Sequence, residues 1–212
     1  MRQKKSKSKS KSKSKSKSKS KKNKNKKNLI FDLDETIISA ISREEFDPQK
    51  HDKLLKIFDM KDMDGYYYVF SRPGLQELLD YAFKNFNVSV WTAASKDYAL
   101  FIIEKIILCK PERKLDYIFF SYHCDVSKNR KNGIKDLSIL WDIYNLNNYN
   151  KYNSIIVDDN PDVRATGYCI PIKEFVATDD NSENDEYLYK LKHKLKEYKN
   201  LPHDQIFSAN LL

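Results

Sequence analysis

The chain has 212 residues, 39 lysines and arginines, 30 aspartates and glutamates and a net charge of +9, a size that suits one domain with an appendage. Residues 1–27 hold 15 of the basic residues and none of the acidic ones, so the tail carries +15 and the remainder −6, which argues against a basic, nucleic-acid-binding body. Cys109, Cys124 and Cys169 lack the spacing of a disulfide framework or zinc site, and no run of about 20 apolar residues or signal-peptide core is present. The expected protein is soluble and intracellular.

Residues 5–21 alternate lysine and serine. With no apolar side chain to bury and like charges repelling, residues 1–27 are expected to be a disordered tail. It reads as a solubilising extension, as a tether to an anionic partner such as nucleic acid, or as a nuclear import signal.

The character changes at Asn28, where a domain spanning 28–200 is expected, with 201–212 as a C-terminal extension. The run "LIF" (29–31) is followed by Asp32 and Asp34. Residues 56–70, centred on Asp64-Gly65, read as a β-hairpin. Residues 73–86 place Leu75, Leu78, Leu79 and Phe83 on one helical stripe, with Pro73 suited to the first turn. "VSVW" (88–91) is a second apolar run, and residues 95–108 form a helix capped by Ser95. The segment 115–126, "LDYIFFSYHCDV", reads as a small antiparallel sheet insertion. Lys135 opens a helical pattern in "IKDLSILWDIY", "SIIV" (154–157) is the third apolar run, and "YCIPI" (168–172) a weaker fourth. A last helix spans 184–198, with acids in its first turn. Apolar runs without polar alternation suit strands buried on both faces. Their alternation with helices indicates an α/β domain with a central parallel sheet.

In such a sheet, ligands bind beyond the carboxyl ends of the strands. The three strong runs end there in Asp32 and Asp34, in Thr92, and in Asp158 and Asp159. Taken singly, each has a plain structural explanation: a solvated acidic pair, a helix cap, a surface lysine. Their shared placement suggests a site. Clustered carboxylates need a counter-charge, and a hard cation with oxygen ligands, Mg²⁺, supplies one. A carboxylate nucleophile beside a cation, a lysine and a hydroxyl is suited to phosphoryl transfer.

The ordered blocks "DLDET" (32–36), "SRPGLQELL" (71–79), "VWTAAS" (90–95), "GIKDLS" (133–138) and "VDDNP" (157–161) resemble the haloacid dehalogenase superfamily of phosphatases. The resemblance is closest to its FCP/SCP group, which acts on the RNA polymerase II C-terminal repeat; Glu35 stands where the wider superfamily usually has glycine. The resemblance implies a haloacid dehalogenase-like Rossmannoid fold and an Mg²⁺-dependent phosphoprotein phosphatase, a hydrolase working through a phosphoaspartate. It implies Asp32 as nucleophile, Asp34 as acid and base, Thr36 orienting Asp34, Thr92 bonding the phosphoryl group, and Lys135 neutralising it. Asp32, the Asp34 carbonyl and Asp158 would hold Mg²⁺, with Asp159 acting through water. Arg130 would greet a second substrate phosphate, and Tyr117 and Phe119 would line a pocket for a proline beside the phosphoserine.

The gaps between motifs leave no room for a large cap domain, which favours a polypeptide substrate. Rival readings are a catalytically weak FCP-like binding module, a polynucleotide 3′-phosphatase with a nucleic-acid-binding tail, and a protein whose tail is its main function. The chain is expected to act as a monomer without membrane attachment, with nuclear location implied if the tail is an import signal. A compact body with a simple tail suits a large DNA virus such as an iridescent virus.

Overall fold

The four residues of β1, Asn28–Phe31, are all buried, because strands flank β1 on both sides and side-chain layers cover both faces. The computed structural model describes residues 26–131 and 133–201. The expected tail up to residue 25 and the extension beyond 201 lie outside the described residues. β2 (Ile38–Ser42), α1 (Pro48–His51), α2 (Leu54–Ile57), β3 (Met60–Met63) and β4 (Tyr67–Ser71) follow β1. Next come α3 (Leu75–Asn85), β5 (Asn87–Trp91), α4 (Lys96–Ile102) with a π-helical end at Ile103–Ile107, and β6 (Ile118–Phe119). The chain continues through α5 (Ser121–Lys131), α6 (Ser138–Asp142), β7 (Ser154–Asp158), α7 (Pro161–Arg164), β8 (Cys169–Pro171) and α8 (Tyr187–Asn200).

The main sheet is parallel, in the order β6-β5-β1-β7-β8. Alternate side chains of its strands feed two cores. Leu29, Phe31, Val88, Val90, Ile155 and Val157 point into one, whereas Ile30, Trp91 and Ile156 point into the other. Burial on both faces explains the unbroken apolar runs. This is a haloacid dehalogenase-like α/β fold, and between β1 and β5 it inserts only a small sheet and short helices rather than a large cap.

That insertion is antiparallel, in the order β2-β4-β3. Its expected hairpin turns through Asp64 and Gly65, both with positive φ (47° and 80°), the backbone that Asp-Gly favours. The strand β2 and the helices α1 and α2 escaped the sequence reading because each is too short to show a period.

Three expectations need correction. Segment 115–126 is not an antiparallel insertion: Ile118 and Phe119 form a parallel edge strand beside β5, and the chain turns into α5 at Ser121. Its aromatic alternation reflects packing of Phe119 on Trp91 and Tyr117 rather than a hairpin. Lys135 does not open a helix but lies in the preceding loop with φ 53°. The acids expected in the first turn of α8 precede it, as Asp185 and Glu186.

The other helices follow their sequence signals closely. α3 buries Leu75, Leu78, Leu79 and Ala82, with Phe83 half-buried, although Pro73 falls just ahead of its first turn. Ser95 accepts from Tyr98 N at the start of α4, satisfying a donor that would otherwise be orphaned. The π-helical end of α4 is sealed by a bond from Leu108 N to Ile103 O, 2.8 Å.

Candidate active site

Strand register decides which side chains meet. Phe31 pairs with Val90 on one side and with Val157 on the other. The next residues, Asp32 and Asp158, therefore leave neighbouring strands at the same level, with Thr92 one residue beyond Trp91. β1 lies between β5 and β7, where successive connections move to opposite sides, and a crevice opens at such a switch point.

Asp32, Asp158 and Asp159 offer carboxylate oxygens that all lie within 4.8 Å of one another. Lys135 Nζ reaches between two of them, 2.6 Å from Asp32 Oδ1 and 2.8 Å from Asp158 Oδ2. Its side chain is 4% exposed and that of Asp158 is 0% exposed. Burial raises the pKa of Asp32, Lys135 opposes that rise and Asp158 adds to it. Asp158 is likewise raised by burial and opposed by Lys135. Burial alone would lower Lys135, but the charges of Asp32 and Asp158 outweigh it and hold the ammonium protonated. Ionised, the three carboxylates and one ammonium leave two negative charges uncompensated.

The loop after β1 holds the remaining parts. Glu35, where glycine is usual in the wider superfamily, has φ 58°, a left-handed backbone that costs a non-glycine residue roughly 1–2 kcal/mol. Bonds from Glu35 N to Ile38 O, 2.8 Å, and from Phe175 N to Glu35 O, 2.7 Å, hold it there. Thr36 does not orient Asp34 as expected. Its hydroxyl donates to Asp159 Oδ1 at 2.7 Å and accepts from Asp159 N at 3.1 Å. Thr36 therefore fixes Asp159, across from its own strand.

Asp34 is oriented by other groups. Tyr98 Oη donates to Asp34 Oδ1 at 2.5 Å, and Thr92 Oγ1 donates to Oδ2 at 3.4 Å. Burial raises the pKa of Asp34, while the Tyr98 bond, the Lys135 charge and the Thr92 bond oppose the rise. Sequence reasoning missed Tyr98. The signal was present, because Ser95 fixes the start of α4 and Tyr98 lies one turn on, but its direction depends on how α4 packs.

Arg72 was also missed. Buried, it donates from Nη1 to Thr36 O at 2.8 Å and grips Asp185 with Nε and Nη2 at 2.9 and 2.8 Å. This guanidinium ties the loop carrying the acidic residues to the segment before α8.

The aromatic residues expected to touch substrate lie elsewhere. Phe119 is 5% exposed, packed against Trp91 and His123. Tyr117 stacks on it and meets Tyr149 edge-on. Both serve the core, because the edge strand presents them to the layer under the sheet rather than to the crevice. Arg130 lies exposed in the last turn of α5, and no hydrogen bond or ion pair among the described residues joins it to the carboxylates. A groove of about 740 Å³ opens beside Asp34, lined by Met63, Tyr66, Tyr67, Ser95 and Tyr98. Tyr66 is 70% exposed. Among the described residues, no helix is long and apolar enough to cross a membrane.

The chain is 42% identical over 181 residues to the CTD phosphatase-like protein 355R of Invertebrate iridescent virus 6, covering 82% of this chain and 100% of that protein. Its counterpart in Invertebrate iridescent virus 3 is 40% identical over 185 residues, covering 82% and 97%. Both relatives come from the virus group expected from the sequence. In fold the chain is similar to Fcp1, an essential RNA polymerase II CTD phosphatase, with a TM-score of 0.58 at 19% identity; it spans 86% of this chain and 64% of that one. The model of the NLI interacting factor-like phosphatases matches residues 27–205, and the chain belongs to that phosphatase family.

Proposed function

We propose that this phosphatase is an Mg²⁺-dependent phosphoserine phosphatase that forms an aspartyl-phosphate on Asp32. The observation carrying this reading is the pairing of Asp32 with Lys135 at 2.6 Å, beside an Asp34 held by two hydroxyls. Asp32 attacks the phosphorus; a bond forms from its carboxylate oxygen to phosphorus, and the bond to the serine oxygen breaks. Asp34 gives its proton to that departing oxygen. It then takes a proton from the water that attacks the phosphoenzyme, releasing phosphate and restoring Asp32. Lys135 steadies the charge on the transferring group, and Thr92 would bond one of its oxygens by turning its hydroxyl away from the long contact with Asp34.

The donor set fits a hard divalent cation: it contains only oxygen, it is anionic, and its two uncompensated charges equal those of Mg²⁺. Asp32, Asp158 and Asp159 would hold the ion, joined by the Asp34 backbone carbonyl. When bound, it would disperse charge on the phosphoryl oxygens.

The open groove beside Asp34 favours an extended polypeptide over a small metabolite. Its apolar and aromatic lining suits a proline next to the phosphoserine, and the names of the relatives point to the RNA polymerase II C-terminal repeat. The test compares phosphoserine-proline peptides with 3′-phosphorylated DNA, with and without Mg²⁺. Peptide turnover that requires Mg²⁺, and that disappears in Asp32→Asn along with any trapped phosphoenzyme, is expected. Preference for the DNA, or turnover by Asp32→Asn, would refute the proposal.

A further inference from the structure

The bonds that hold Lys135 in place begin on α5. Cys124 and Ser127 are the buried residues of that helix, and their spacing of three puts them on one face. Cys124 donates from Sγ to Thr92 O at 3.7 Å. Ser127, with no exposed surface, turns to the loop that carries Lys135. Its hydroxyl donates to Gly133 O at 2.5 Å and accepts from Asp136 N at 2.8 Å. One face of α5 therefore touches both the end of β5 at Thr92 and the Lys135 loop.

A serine within a helix commonly returns its hydroxyl to a carbonyl of the preceding turn. Ser127 instead reaches six and nine residues forward, and the two groups it holds stand on either side of Lys135. A satisfied buried serine is ordinary; the position of these two partners is what sets this one apart.

The loop needs such a clamp because Lys135 has φ 53°. That backbone is unfavourable for any residue with a side chain, and it persists only where the surroundings over-determine it. Asp136 gives a second fixed point. Its Oδ1 accepts from Ser138 N at 2.8 Å and its carbonyl from Ile139 N at 3.2 Å, which ties it to α6. Lys135 then reaches Asp32 and Asp158 at 2.6 and 2.8 Å on a long, flexible stem. A flexible stem delivers its ammonium to one place only if its base is fixed.

We propose that Ser127 is a positioning residue for phosphoryl transfer, pinning the backbone before and after Lys135 so that the ammonium stays between Asp32 and Asp158. The inference rests on the role given to Lys135 under the proposed function. Without the hydroxyl, the Gly133 carbonyl and the Asp136 N–H lose a buried partner, and the loop is free to leave its left-handed backbone. The base of the Lys135 side chain then shifts, and its ammonium with it.

The test compares the full-length chain with Ser127→Ala. In metal-free buffer, isotope-labelled wild-type protein should show an ammonium resonance that persists at neutral pH, because a buried, paired lysine is protected from exchange; Lys135→Gln identifies it by removing it. Ser127→Ala should lose or shift that resonance while keeping the circular dichroism of the folded protein. Turnover per folded molecule, measured with Mg²⁺, should fall roughly 5- to 30-fold. The factor should be the same for a phosphoserine peptide and for p-nitrophenyl phosphate, since Lys135 acts on the transferring group and not on the leaving oxygen. An unchanged resonance would overturn the proposal, as would unchanged turnover. A variant that does not fold would also overturn it, marking Ser127 as a residue of the fold alone. Wild-type turnover in Lys135→Gln would instead refute the reading on which the inference rests, and the ammonium resonance keeps the two failures apart.

Discussion

Tyr98→Phe removes one hydroxyl and little else, so it isolates the orientation of Asp34. The ring keeps its edge-on contact with Tyr67, centroids 5.4 Å apart. What is lost is the 2.5 Å bond to Asp34 Oδ1, leaving only the long 3.4 Å bond from Thr92. A hydrogen bond to a charged group contributes about 1.5–3 kcal/mol. If that is felt where Asp34 exchanges its proton, it corresponds to roughly a 10- to 150-fold loss in kcat/KM. The loss should depend on the leaving group. A phosphoserine peptide needs its departing oxygen protonated, whereas p-nitrophenolate leaves readily without help. Steady-state kinetics on both substrates should therefore show the large loss with the peptide and a much smaller one with p-nitrophenyl phosphate. Unfolding midpoints should stay close to wild type. Equal losses on both substrates, or none on the peptide, would refute the view that Tyr98 acts through Asp34.

Asp158→Asn removes one anionic oxygen from the carboxylate cluster and a partner of Lys135; activity should fall and be partly restored by raised Mg²⁺, and normal activity at low Mg²⁺ would remove Asp158 from the cation site. Arg72→Met strips the buried guanidinium from Asp185 and from the Thr36 carbonyl. Breaking such a pair typically costs about 3–5 kcal/mol, which urea denaturation would register, and a loss under about 1 kcal/mol would show that the tie to α8 carries little stability. Thr36→Val should impair the cation dependence of turnover more than its leaving-group dependence, because the hydroxyl holds Asp159 and not Asp34; the opposite pattern in paired metal and substrate titrations would restore the original expectation.

Much of this protein was legible in its sequence because parallel strands advertise themselves locally. A strand covered on both faces must be apolar throughout, so "LIF", "VSVW" and "SIIV" marked the sheet, and the residues just after them marked its carboxyl edge. Asp32, Thr92, Asp158 and Asp159 could be nominated from that rule alone, before any resemblance was considered. The hairpin at Asp64-Gly65 and the cap at Ser95 were equally local, each resting on the backbone preference of one or two residues. Contacts across the fold were not legible. Thr36 lies two residues from Asp34 in the chain, yet it bonds Asp159, 123 positions away. Asp34 is served by Tyr98 from α4. Tyr117 and Phe119 resembled a binding stripe, but their strand faces the core, since a two-residue edge strand has no period from which to read its facing. Lys135 could be named from its motif, whereas its left-handed backbone and its place between two carboxylates come from a loop between α5 and α6 that only the packed sheet positions. Periodicity and caps are properties of neighbouring residues; the direction in which a side chain points, and what waits there, is set by how the layers close on one another.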